Sequence, residues 1–234
     1  MTAAPERLEQ TLAHKFSNPE LLLRALTHRS WTADRSLKTP EHDNEQLEFL
    51  GDAVLGFFVS ESLVARHPSA SEGQLSQWKS HLVSAAHLYH CALNIGLGEF
   101  IRLGRGEERN GGRERKALLA NAFEAVIAAL FLDGGFGVAG RFVQTRVLDA
   151  IEATQDFEGL ELLNSKSVVQ ERAQALGLPV PRYTTVETNG PEHAKIFVIE
   201  GRIGNQFTSR AQATSKKEAS QRAAQLLLEQ LPVG

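Results

Sequence analysis

The stretch Asn44 to Leu55, NEQLEFLGDAVL, decides how the rest of the chain is read. Glu45, Glu48 and Asp52 stand three and four residues apart, so at about 100° per residue their carboxylates fall within one narrow arc of a helix. Leu47, Leu50, Val54 and Leu55 occupy the rest of the girth. A helix this apolar is expected to be buried, and buried carboxylates are costly without a partner. Two readings stand at this point. One is a solvated acidic face; the other is a site for a hard cation such as Mg²⁺ or Mn²⁺, which oxygen ligands favour and which suits hydrolysis of phosphate esters.

The whole chain is long enough, at 234 residues, for one large or two small domains. One cysteine, Cys91, excludes an intramolecular disulfide. The N-terminus has no basic region followed by an apolar run, and no apolar stretch approaches the roughly 20 residues that span a bilayer. A cytoplasmic protein is the expectation. Net charge is -3, but it is unevenly spread: residues 1–162 hold 16 basic and 22 acidic side chains, and residues 163–234 hold 9 and 6. An acidic part that collects metal ions and a basic part that collects phosphate would divide the work sensibly.

Outward from the acidic stretch, residues 5 to 31 read as helix, turn and helix, with His28 and Trp31 as structural residues. Phe49 is read on the far side of the helix from the carboxylates, where its own residue type suggests core packing. Glu72 sits in the first turn of a helix, where the dipole favours acids. Gly104 to Lys116, GRGEERNGGRERK, reads as a flexible solvated loop whose modest basic excess, Arg115 included, could alternatively rest on a nucleic-acid backbone. Residues 118–135, LLANAFEAVIAALFLDGG, form a strongly apolar helix in which Asn121 and Glu124 share a face and need buried partners. A further helix follows over 137–152. Residues 154–164 lack a clear pattern and read as a linker.

Beyond the linker the pattern becomes helix, three strands, helix: Ser165 to Leu176, then Arg182 to Thr188, Lys195 to Arg202 and Asn205 to Ala213, then Ser215 to Leu231. Ser215-Lys216-Lys217-Glu218 has the spacing of a capping box. Lys216 and Lys217 then stand in a first helical turn, where the dipole disfavours cations. A phosphate backbone would resolve that conflict, using both lysines and the free N–H groups of the helix start.

NEQLEFLGDAVL, THRS at Thr27 to Ser30, EGQLSQWKSHLVS from Glu72, and the C-terminal GPEHAKIFVIE and SKKEASQRAAQLLLEQL together resemble bacterial ribonuclease III, over nearly the entire chain. The resemblance implies an all-α nuclease domain over 1–153, a linker over 154–164 and an α+β double-stranded RNA-binding domain over 165–232. It implies a homodimeric endoribonuclease, with Phe49 at the dimer interface, that uses Mg²⁺ (Mn²⁺ as substitute) and no small-molecule cofactor. The expected products are 5′-phosphate and 3′-hydroxyl ends, from rRNA and other structured transcripts. Glu48, Asp52, Asn121 and Glu124 would hold the metal, with Glu45 and Glu72 acting nearby or through water. Gln170, Glu171, Gln174, His193, Lys195, Lys216 and Lys217 match the RNA contacts. One position departs from the pattern, since Asn121 stands where the family has Asp. Either the site tolerates it with a weaker hold on metal, or the chain is a catalytically weakened RNA-binding protein.

Overall fold

Helices begin where the chain supplies an acceptor for the first unsatisfied N–H groups. In the computed structural model, which describes residues 5–36, 42–149, 156–191 and 195–232, α1 (Pro5–Leu12) leads to α2 (Pro19–Ala25), where Asn18 accepts from the Glu20 N–H. His28 caps α3 (Arg29–Ala33), its Nδ1 accepting from the Ser30 N–H, so its role is the structural one expected. For α4 (Glu45–Arg66) the capping acceptor is Asp43, which takes the Glu45 N–H at 3.1 Å. Asn44 instead sends its amide to Ala25 O, tying the start of α4 to α2. Ser71 and Ser84 cap α5 (Glu72–Leu82) and α6 (Ala85–Asn94).

The segment read as a solvated loop is ordered. It contains α7 (Arg105–Arg109) and a 3-10 turn at Gly112–Glu114. Arg113 clamps both oxygens of Glu108 at 2.6 and 2.7 Å and donates to Gly98 O and Ile101 O. Glycine and charge made the stretch look solvated, whereas the arginine finds its partners within the chain.

α8 (Lys116–Val143) is the axis of the first unit: Leu119, Ala122, Phe123, Val126, Ile127 and Leu130 are fully enclosed by the surrounding helices. By length and mean hydropathy alone, Lys116–Leu148 is apolar enough to cross a membrane, but half of that window is buried against protein. The helix bends at Gly135, whose φ of 70° a residue with a Cβ adopts only under strain, so the break expected at Gly134-Gly135 falls there.

The chain divides into two units at Thr154/Gln155, and the second starts earlier than its sequence pattern suggests. α9 (Asp156–Ala175) is helical through most of the stretch read as a linker. Leu and Glu dominate Asp156–Leu163, and both are good helix formers, so that stretch extends a helix without needing an amphipathic pattern. After Gly177, at φ 68°, come β1 (Arg182–Asn189), β2 (Ile196–Ile203) and β3 (Phe207–Ala213), then α10 (Lys216–Gln230). The sheet is antiparallel in the order β1-β2-β3. Val169 and Ala173 of α9 pack with Ile203 and with Ala224 and Leu227 of α10, closing both helices onto one sheet face. The α-β-β-β-α order is as expected.

Candidate active site

α4 and α8 touch at the point where their acids lie. A Cβ built on Gly51 would fall 1.9 Å from the backbone oxygen of Glu124, so the two helices meet there backbone to backbone. Glycine in a helix interior costs about 1 kcal/mol relative to alanine, and this close approach is its reason. Glu48 and Asp52 flank Gly51 in sequence, and Asn121 and Glu124 face them from α8. All four, with Glu45, line one cleft of about 640 Å³.

The electrostatics of the cleft are those of unshared negative charge. Burial, then the nearby Asp52 and Glu48, push the Glu124 carboxyl up to about 8. Burial also raises Glu48, partly opposed by a hydrogen bond that its carboxylate accepts from the Asn121 amide. The cations at the rim are engaged: Arg29 pairs with Glu45 at 3.1 Å, and Arg115 with Glu107 at 2.7 Å. Among the described residues no three carboxylate, imidazole or thiolate groups close around a single point, as expected for like charges that repel. The donor set is all oxygen, carries surplus charge and opens to solvent, and it therefore fits a hard divalent cation.

Other sequence-derived candidates fall elsewhere. Glu72 is exposed in the first turn of α5, where it accepts from the Ser76 hydroxyl at 2.6 Å, and it does not line the cleft. Phe49, expected on the far side of the helix from the carboxylates, instead lines the same cleft, because it stands four residues after Glu45 and three before Asp52, and at 82 % exposure it is not core packing within this chain. On the same helix Phe57 is 52 % exposed and meets the exposed Phe136 edge to face. Sequence reasoning passed over Gly51 and Arg29, and counted Arg115 only among the basic residues of 104–116. Gly51 did leave a signal, since a glycine inside an apolar helix asks for a packing reason.

In the second unit, Gln170, Glu171 and Gln174 lie exposed along α9, opposite the buried Val169 and Ala173. Ser215 accepts from the Glu218 N–H, but the Glu218 carboxylate turns to Arg222 at 2.8 Å and does not reach back to complete a capping box. Lys216 and Lys217 are exposed in the first turn of α10, with Lys216 Nζ 5.6 Å from the centre of the Phe197 ring. Lys195 is half-buried just before β2. His193 lies outside the described residues.

An acid-lined cleft between two apolar helices, joined in one chain to a small α-β-β-β-α unit with an exposed lysine-bearing helix start, defines a two-domain enzyme of nucleic acid. Residues 18–151 match the Ribonuclease-III-like family, and residues 165–231 match the Double-stranded RNA binding motif. Ribonuclease 3 of Solibacter usitatus is 48 % identical, over 99 % of this chain and 88 % of its own length. Ribonuclease 3 of Geobacter sulfurreducens is 42 % identical over 99 % and 92 %. The nuclease domain of ribonuclease III from Campylobacter jejuni, described for flexibility in a region involved in dimer formation, superposes with a TM-score of 0.56 at 37 % identity. That likeness covers 61 % of this chain and 98 % of the other. The chain belongs to the ribonuclease III family, as an endoribonuclease with a double-stranded RNA-binding domain.

Proposed function

We propose that the chain cuts RNA duplexes by divalent-metal-dependent hydrolysis, leaving 5′-phosphate and 3′-hydroxyl ends, in the processing of rRNA and other structured transcripts in the cytoplasm. The observation that carries this is the Glu124 carboxyl, raised to about 8 beside Asp52 and Glu48 with no cation among the described residues to share its charge. Glu48, Asp52 and Glu124 would hold Mg²⁺ or Mn²⁺ through carboxylate oxygens. Asn121 would add its amide oxygen, its nitrogen being turned to Glu48. The bound ion would supply an activated water and offset charge building on the scissile phosphate and the departing 3′ oxygen. Glu45, held by Arg29 at the rim, orients that edge of the cleft. Glu72, turned to Ser76, enters only at a distance.

The exposed Phe49, Phe57 and Phe136 support a homodimer in which a second copy covers this aromatic face. The described RNA-contact candidates of the second unit would hold the duplex by its shape and phosphates. A second reading, a weakened enzyme that chiefly binds RNA, draws on Asn121, which removes one charge from the site. Glu124→Gln tests the first reading: cleavage of a long duplex in Mg²⁺ should be lost while duplex binding stays nearly intact. Normal cleavage at ordinary Mg²⁺ would take Glu124 out of the site.

A further inference from the structure

The open face of the three-stranded sheet carries a braced arginine cluster that neither the acidic cleft nor the lysine-bearing helix start uses. Ile199 and Ile203 of β2 pack against the helices, so by the alternation of a strand Glu200 and Arg202 turn the other way. The register places Thr184 and Arg210 opposite Glu200, and Arg182 and Thr208 opposite Arg202. Glu200 is only 5 % exposed because the arginines cover it. Its two oxygens are taken separately, Oε1 by Arg202 Nε at 2.5 Å and Oε2 by Arg210 Nε at 2.8 Å.

This bracing has a directional consequence. Each guanidinium is held through Nε, and the side chains of Arg202 and Arg210 remain 58 % and 62 % exposed, so their terminal nitrogens are left for a ligand. Arg182 has no ion-pair partner among the described residues. It borders a hollow of about 630 Å³ that Arg202, Thr184 and Asn205 also line. Three guanidinium groups around one covered carboxylate leave the patch positive. The next acid on this face, Glu187, lies one outward rung further and accepts from the Asn189 amide at 3.3 Å.

We infer that this sheet face is a second RNA-backbone site, which takes the phosphates of a single-stranded segment continuing from a duplex held elsewhere on the same domain. Planar guanidinium forks match phosphate oxygens two at a time. The rungs facing this way carry Arg, Thr and Glu, then Val198 with Gln212 and Ile196 with Asn189, and no aromatic ring, so the site reads backbone and not base. Arg202 stands six residues from Ile196 along β2, about 20 Å at strand rise. It is on the face away from the helices that carry Gln170 and Lys216, so a stiff duplex lying against those helices cannot cover it. A flexible strand can, and a duplex held at the first site delivers that strand at high local concentration. A free acidic peptide lacks that tethering, and even against an untethered strand it is the poorer ligand, because alternate carboxylates of an extended peptide turn away from the forks whereas every phosphate of a flexible strand can reach them.

The test needs no cleavage, so its outcome is independent of the catalytic reading. The full chain in EDTA is titrated with a 12-nucleotide oligouridylate and, separately, with hexaglutamate, while the arginine Nε–Hε resonances are followed by NMR. The resonances of Arg182, Arg202 and Arg210 should move together and saturate, at lower concentration with the oligouridylate than with hexaglutamate. Joint Lys216→Ala and Lys217→Ala replacement should leave that movement unchanged. Arg182→Gln, at a position that braces nothing, should keep the wild-type melting temperature, weaken binding several-fold and reduce the slope of log K against log salt by roughly 0.7. Arg202→Lys, which keeps the charge beside Glu200 but loses the fork, should weaken it too. Static resonances, tighter binding of hexaglutamate, or an Arg182→Gln variant that binds as well as wild type would each overturn the proposal.

Discussion

Gly51→Ala places one methyl group at the point where the active-site helices meet. The added Cβ would lie 1.9 Å from Glu124 O, 2.5 Å from Glu124 C and 3.1 Å from Glu124 Cα. All three are backbone atoms, so no side-chain rotation relieves the clash. Ordinary contact begins at 3.4 Å, which means that α4 and α8 must part by about 1.5 Å at the crossing. Overpacking of this kind costs about 1–3 kcal/mol, offset in part by the roughly 1 kcal/mol that alanine gains over glycine in a helix. The net loss of stability is therefore about 0–2 kcal/mol, and the variant folds. Its chemistry suffers more, because Glu48 and Asp52 ride on the displaced helix while Asn121 and Glu124 stay behind. A misplacement of about 1 Å costs on the order of 10²-fold in rate. Duplex cleavage under single-turnover conditions in Mg²⁺ should fall by about that factor, with duplex binding unchanged. Gly56→Ala is the control on the same helix, since its Cβ would meet only the flexible end of Lys79 at 3.5 Å. A Gly51→Ala enzyme with wild-type turnover would refute the view that this crossing sets the ligand geometry.

Asn121→Asp restores a fourth charge and should raise cleavage most at low Mg²⁺, the gap closing as Mg²⁺ rises or Mn²⁺ replaces it; parallel titration curves would show that residue 121 does not touch the metal. In metal-free protein the raised Glu124 and Glu48 carboxyls keep their protons in the folded state after the unfolded state has lost them. Stability should therefore fall as pH rises from about 4.5 to about 8, and urea melts in EDTA should show Glu124→Gln flattening that fall; an equally steep decline in the variant would place the cause elsewhere. Replacing Lys216 and Lys217 together by Ala should weaken duplex binding and reduce its salt slope by roughly one unit per lost phosphate contact, a figure taken from DNA; an unchanged slope would make them ordinary surface lysines.

The local features were legible because they are written in residue spacing. Three acids at intervals of three and four place themselves on one helical face, Gly177 ends α9, and alternating patterns mark all three strands to within a few residues. Helix starts were less secure. Ser215 caps α10 as expected, yet Glu218 prefers Arg222 one turn on, a choice between two nearby partners that the S-x-x-E spacing cannot rank. The helical stretch Asp156–Leu163 was missed because its residues favour helix without showing a face.

Tertiary structure alone decided what meets what. Residue spacing could say that Glu48 and Asp52 share one face and that Asn121 and Glu124 share another, but joining the two faces depended on the backbone contact at Gly51, about seventy residues from its partner in sequence. The same contact determines how far the Glu124 carboxyl is raised, since burial and neighbouring charge act through space and not along the chain. Arg113 closing on Glu108 turned an expected solvated loop into an ordered helical segment. Phe49 was undecided between core and interface until its 82 % exposure set it outside the core of this chain. The sequence by itself determined the helical acid stripe, the apolar axis and the α-β-β-β-α order, because periodicity and capping are local; packing decided burial, charge coupling and the cleft, because those are sums over neighbours distant in sequence.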